Sequence, residues 1–411
     1  MHAYPAQLAD FVLDYWPSER PLRFDRRALA ELLSTCFQAS LGREEGRTLR
    51  FRLIAAMPAD VTAALGPEQF LPLELGAVEP FDAEHLGRLS PAAPYHSSMI
   101  GAGFFDAGWT IWGLLHTGAD WLAPSWGGRD HHHALDLPEV HVWGPGRLGV
   151  YSGRDLVATL ERGMIEATTT DVFTSRWLPE LFRPSRIEPP DTVEPALNLA
   201  DGALMRAIAQ HMVRRALFLI RQAGNGGMIL FADPELVRKC AFANDGTLKF
   251  KYSFQAGTSR ERYRHLLRRL VQTLGEHGGE GPVNLERFQA LEIPEVTRVE
   301  QAIFEVSSLI AGLAEVDGAV VMDKRMELVG FGAEVSGELP YPQTVWQALD
   351  VEGERRAPEP ANAVGTRHRA AYRYVTAHPA GLAIVISHDG GVRFVANLGG
   401  EVVYWDQFLN W

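Results

Sequence analysis

The chain has 411 residues, 46% hydrophobic and 22% charged, which is length and apolar content enough for two or three domains with separate cores. Its net charge of −12 argues against nonspecific nucleic-acid binding, since that affinity rests on Lys and Arg neutralising phosphates. Two isolated cysteines, Cys36 and Cys240, make neither a disulfide framework nor a zinc site, and the start Met1-His2-Ala3-Tyr4-Pro5 lacks the pattern of a secretory signal. No apolar run reaches about 18 residues, so the expectation is a cytoplasmic protein that does not span a membrane.

Leu29, Leu32, Leu33 and Phe37 recur at helical spacing and predict an amphipathic helix from Arg26 to Ser40. A short strand follows at Phe51-Arg52-Leu53-Ile54-Ala55. Residues 99–116 read as two strands joined at Asp106-Ala107-Gly108, and Val140–Trp143 and Arg147–Tyr151 continue the strand-rich pattern. The run from Arg183-Pro184 to Pro195 suits neither helix nor sheet. It divides the chain into an N-terminal domain (1–183), a Pro-rich linker (184–198) and a C-terminal domain (199–411).

In the C-terminal half a long helix is predicted over Asp201–Gln222, stopped by Gly224. A buried strand at Gly227–Ala232, a helix over 258–274 and a loop at Gly275–Pro282 come next. A helix Val299–Leu313 leads into Asp317. Strands Gly318–Met322 and Met326–Phe331 form a hairpin, and Gly353–Asn362 reads as a charged, Pro-containing loop. Helix Arg367–Ala377, stopped by Pro379, precedes strands Ala383–Ser387, Val392–Ala396 and Val402–Trp405. The fold class is α/β: a C-terminal mixed sheet flanked by helices, preceded by a separate α+β domain.

Two clusters carry chemistry. Thr366 stands where an N-cap belongs, which places Arg367, His368 and Arg369 in a helix's first turn. Cations there oppose the helix dipole, whereas the free backbone N–H groups favour an anion. A polyphosphate reconciles the two, and the alternative is a solvated helix start paired with Glu352, Glu354 or Glu359. The second cluster, Asp317-Gly318-Ala319, lies at a helix-to-strand junction. Small residues there let a nucleoside approach the backbone, and the carboxylate can hold a metal or orient a hydroxyl, although Asp-Gly is also a common turn.

Together, Asp317-Gly318-Ala319 and Gly365-Thr366-Arg367-His368-Arg369-Ala370-Ala371 resemble the paired signatures of the diadenylate cyclase (DAC) domain family, intact and in family order. The similarity covers roughly 315–400 and extends toward residue 200. The resemblance implies condensation of two ATP into cyclic di-AMP and pyrophosphate, with two domains facing each other in a head-to-head homodimer or higher oligomer and Mg²⁺ or Mn²⁺ assisting. It implies catalytic roles for Asp317, Arg367, His368 and Arg369. Gly318, Ala319, Val335, Thr366, Ala370 and Ser387 are the implied nucleotide contacts. The family's Ser-Glu stands here as Ser387-His388-Asp389, so the implied metal ligands are Asp317 and Asp389, with His388 as the alternative to Asp389. Other outcomes are a nucleotide-binding sensor without turnover, or a cyclase making a different dinucleotide.

The N-terminal domain reads as a regulatory module for an unknown ligand. Gly101, Asp106 and Gly113 stand 217 residues before Gly318, Asp323 and Gly330, which suggests a degenerate copy of the cyclase fold with Ile100 in the place of Asp317. Asp130-His131-His132-His133, with Asp136 and His141 nearby, reads as a metal site in which His131 and His133 share one side of a strand, or, given Trp121, Trp126 and Trp143, as a small-ligand pocket or a surface loop.

Overall fold

The computed structural model describes the chain apart from residues 1, 21, 65–70, 106–107, 119–134, 154, 162, 167–170, 187–199, 235, 238–246, 258, 278–280, 389 and 408–411. The His131–His133 cluster, Asp389 and most of the Pro-rich stretch therefore lie outside the described residues. Two compact units part between Thr169 and Thr170. Both are mixed sheets flanked by helices.

In the first unit, α1 (Pro5–Tyr15) and α2 (Arg26–Leu41) precede β1 (Phe51–Ala55), β2 (Leu71–Pro80), α3 (Ala83–Leu89), β3 (Ser98–Phe105) and β4 (Gly108–His116). Strands β5 (Pro138–Gly144), β6 (Arg147–Ser152), β7 (Asp155–Glu161) and β8 (Met164–Glu166) complete it. Asp25 caps α2 by accepting from Ala28 N at 2.8 Å, and Leu29, Leu32 and Leu33 turn the apolar stripe inward. That stripe and Leu86 of α3 bury one face of the sheet: Phe51, Leu53, Ala55, Ile100 and Ala102.

The second unit opens with α4 (Trp177–Arg186), which sequence assigns to the first domain and whose last residues sequence assigns to the linker. Its own contacts place it here: Trp177 stacks on Trp405 with centroids 4.3 Å apart, and Lys324 Nζ donates to Leu181 O at 2.7 Å. Then come α5 (Gly202–Ala223), β9 (Gly227–Ala232), β10 (Leu248–Ser253), α6 (Arg262–His277), α7 (Pro294–Ala314), β11 (Ala319–Asp323) and β12 (Leu328–Val335). The unit ends with β13 (Thr344–Ala348), β14 (Arg356–Pro360), α8 (Thr366–Ala377), β15 (Leu382–Ile386), β16 (Val392–Leu398) and β17 (Glu401–Gln407). Two expected loops are corrected. Strand β14 occupies the middle of Gly353–Asn362, where edge pairing with β13 tolerates prolines, and α6 runs through Gly275 to His277. Helices α5 and α7 lie on the face of Gly227, whose added Cβ would meet Ile220 and Ala314, and α8 covers Met228, Leu230 and Val385 on the other.

The two sheets share a topology. Seven strands run β2-β4-β3-β1-β5-β6-β7 in the first and β10-β12-β11-β9-β15-β16-β17 in the second. Within each set of seven, only the central pair (β1 with β3, β9 with β11) is parallel and the other neighbours are antiparallel; in the second sheet β13 adds a parallel pairing to β17. Gly113 pairs with Gly101 and Gly330 with Val321, each just before a register shift. An added Cβ at either glycine would strike an edge-strand carbonyl, Leu73 O at 2.0 Å and Tyr252 O at 2.5 Å. The offset of 217 thus holds for Gly113 and Gly330 but not for the preceding strand. Ile100 pairs with Leu53 as Val320 pairs with Ile229, so Ile100 stands in the place of Val320, and the place of Asp317 falls to Ser97.

Asp323 ends β11 and holds its hairpin, accepting from Arg325 N at 2.8 Å and Glu327 N at 2.9 Å. Burial raises its carboxyl from 3.8 to about 6, with the Glu327 charge adding to the effect. An acid with a raised folded-state pKa destabilises the fold as it ionises, so this contribution is lost as pH rises from about 4 through 6. Asp323→Asn keeps both acceptor contacts. It is expected to raise stability by about 1–3 kcal/mol at pH 7 and by little at pH 4, measured by chemical denaturation at both values.

Candidate active site

The sequence-marked residues gather at one end of the second sheet. Gly227 of β9 pairs with Ile386 of β15 on one side, and β11 begins beside β9 on the other. Ser387 and Gly318 are therefore about two strand spacings apart, each spacing being roughly 4.8 Å. Val335 ends β12 at the same end, pairing with Leu248. Helix α8 starts over this end, and Arg367 reaches its centre. A Cβ added to Gly226 would stand 2.9 Å from Arg367 Nη1, 2.8 Å from Ile386 O and 3.3 Å from His388 N. Ala370 and Val335 pack against the core beneath.

Asp317 and Gly318 join α7 to β11. Gly318 has φ +117°, and a Cβ there would come within 2.5 Å of the Gly332 carbonyl carbon. Glycine is required for the turn to tuck under β12. The turn presents Asp317 outward, its side chain 91% exposed. Lys251 of β10 fixes it: Nζ donates to Asp317 O at 3.0 Å, 3.8 Å from Asp317 Oδ2 and 3.6 Å from Glu334 Oε1. Lys251 is not among the residues singled out from sequence. Its signal was the alternation of Leu248, Phe250 and Tyr252 with Lys249 and Lys251, which marks an edge strand.

Helix α8 corrects one expectation. Its N-cap is Gly365, which offers no side-chain cap, and Thr366 is the first helical residue. The Thr366 hydroxyl lies 3.5 Å from Arg369 Nη2 instead of capping the helix. The first-turn N–H groups thus receive no side-chain oxygen from the cap position. The acids that sequence offered as partners are engaged elsewhere. Glu352 and Glu354 face Arg176 at 3.4 and 3.8 Å, and Glu359 accepts from Tyr404 OH at 2.6 Å. Among the described residues, neither Arg367 nor Arg369 has a carboxylate partner. Two guanidiniums at a helix start whose cap position offers no side-chain oxygen make a site for a polyanion.

A divalent metal is a different matter. Among the described residues no three His, Cys, Asp or Glu side chains gather to hold one. Magnesium is commonly held by one or two carboxylates together with substrate phosphates and waters. The exposed carboxylate of Asp317 fits that smaller role.

For the first unit, comparison with known families is informative. Residues 20–116 resemble a sensor domain. The matching family model is described as Probable sensor domain DACNV, and the match runs from just before α2 to the end of β4. The N-terminal unit thus resembles a probable sensor domain, in line with the regulatory module expected from the sequence. No curated protein and no solved structure matches the chain. Among the described residues, no helix is long and apolar enough to cross a membrane.

Proposed function

We propose that the second unit is a diadenylate cyclase that joins two ATP molecules into cyclic di-AMP, and that the N-terminal sensor domain regulates it. The observation that carries this reading is the meeting of Arg367 with the Gly226, Ile386 and His388 backbone, at the sheet end where Asp317 and Gly318 also lie. Arg367, Arg369 and the first-turn amides of α8 bind the triphosphate. Gly318, Ala319 and Val335 leave room for the nucleoside against the sheet end, while Thr366, His368 and Ser387 line the phosphate path.

Asp317, held by Lys251, orients the 3′-hydroxyl and is the residue that would hold Mg²⁺ or Mn²⁺. Such a metal supplies charge neutralisation at the reacting phosphate. The 3′-oxygen of one ATP forms a bond to the α-phosphorus of the other. The bond from that phosphorus to the α–β bridging oxygen breaks, and pyrophosphate leaves. A second, symmetrical attack closes the ring, so two pyrophosphates are released per product. The protein supplies positioning and charge, as in other phosphoryl-transfer sites.

The second unit of each chain holds one ATP, so two chains must face each other. The specific activity is expected to rise with protein concentration through the dimerisation range, measured by product formation alongside light scattering. Specific activity independent of concentration, in a chain that stays monomeric, contradicts the paired-site reading. A second reading, binding without turnover, draws on His388 standing where the family carries a Glu. It predicts ATP affinity with no product.

A further inference from the structure

The shared topology points to a second site. In the second unit, the sheet face under α8 is apolar where β9 meets β15, with Met228 paired to Val385. The corresponding pair in the first unit is Arg52 with His141. Both are buried, Arg52 at 0% exposure and His141 at 3%, with Glu139 at 1% beside them. A charged cluster thus replaces a plain core at the same corner of the same fold.

The hydrogen bonds define its charge state. Trp143 Nε1 can only donate, and does so to Tyr95 OH at 2.7 Å. His141 Nδ1 lies 3.1 Å from Tyr95 OH and Nε2 lies 3.0 Å from Glu139 Oε2; we assign the tautomer in which Nε2–H donates to Glu139 and Nδ1 accepts from Tyr95. With both ring nitrogens so partnered, His141 is neutral. Burial and the charges of Arg52 and Arg50 hold the His141 pKa well below the usual range, in keeping with this assignment. Arg52 donates through Nε to Tyr95 O at 2.7 Å and through Nη2 to Thr117 Oγ1 at 2.9 Å. Its Nη1 is buried and, among the described residues, has no hydrogen-bond partner. Arg50, which is exposed, lies over the Tyr95 ring with its guanidinium carbon 4.2 Å from the centroid.

Among the described residues, Arg50 and Arg52 bring two guanidiniums to this corner, and a buried guanidinium nitrogen without a hydrogen-bond partner is costly. We infer that this corner of the sensor unit binds a small anion carrying a planar ring, the chemistry shared by purine nucleotides and aromatic carboxylates. The ring takes the place of Arg50 on the face of Tyr95, as one π-partner for another. The anionic group meets Arg52 Nη1 and the displaced Arg50. The site goes beyond the cyclase reading and does not depend on it.

The test uses the full chain carrying Arg367→Ala and Arg369→Ala, so that the second unit's anion site is disabled. AMP and benzoate are the two probes, titrated separately by calorimetry. Binding of at least one probe below about 1 mM is expected, and which of them binds distinguishes a nucleotide from an aromatic carboxylate. Adding Arg50→Ala, at an exposed residue, is expected to weaken that binding at least tenfold. Adding Arg52→Met, which installs the residue type of the second unit, is expected to abolish it. No binding of either probe up to 10 mM, or binding that neither variant changes, overturns the inference.

Discussion

Replacing Arg367 and Arg369 together by alanine is expected to lower cyclic product formation about 10²–10⁴-fold. A hydrogen bond to a charged group is worth about 1.5–3 kcal/mol, so two guanidiniums on the phosphates supply about 3–6 kcal/mol, and each 1.4 kcal/mol is a factor of ten. The fold is expected to gain from the same change. Both cations sit at the positive end of α8 and, among the described residues, have no carboxylate partner. Removing them relieves about 0.3–1 kcal/mol each of unfavourable dipole interaction. Lost turnover together with an unchanged or higher melting temperature is the signature of residues kept for a ligand. A double variant that loses activity because it melts several degrees lower indicates a structural role instead.

Gly318→Ala is expected to be the most damaging single substitution at the site. At φ +117° the new Cβ is strained in its own backbone, at about 1–3 kcal/mol, and it also stands 2.5 Å from the Gly332 carbonyl carbon. The turn must shift, and Asp317 and the Lys251 contact move with it. Loss of product and a fall in melting temperature of several degrees are expected, since each kcal/mol corresponds to about 2–4 °C in a unit of this size. Gly365→Ala is the control. Among the described residues nothing lies within 4 Å of its added Cβ, so calorimetry is expected to show a shift of no more than a degree or two.

The strongly periodic elements were legible in the sequence. Helix α5, with Asp201 at its cap and Gly224 left-handed at its end, and strands β1, β9 and β15–β17 lie within a residue or two of expectation. So do the two motifs, because each combines a rare backbone requirement with unusual charge. What was not legible depends on partners distant in sequence. Strand β14 contains Pro358 and Pro360 and becomes a strand because β13 pairs with it at the sheet edge. Helix α4 looks like the start of a linker until Trp405 and Lys324 give it a surface to pack on. Arg52 was visible as one charge inside an apolar strand, but nothing in one dimension shows that Tyr95, Glu139 and His141 converge around it. The offset of 217 found the repeated hairpin and placed one of its two strands three residues out, because a register is set by pairing partners and not by spacing along the chain.

The most direct measurement is incubation of the full chain with ATP and Mn²⁺, with products identified by mass spectrometry and pyrophosphate quantified in parallel. The account predicts cyclic di-AMP and two pyrophosphates for each molecule formed. ATP that binds but is recovered intact, with no cyclic dinucleotide at any protein concentration, contradicts it.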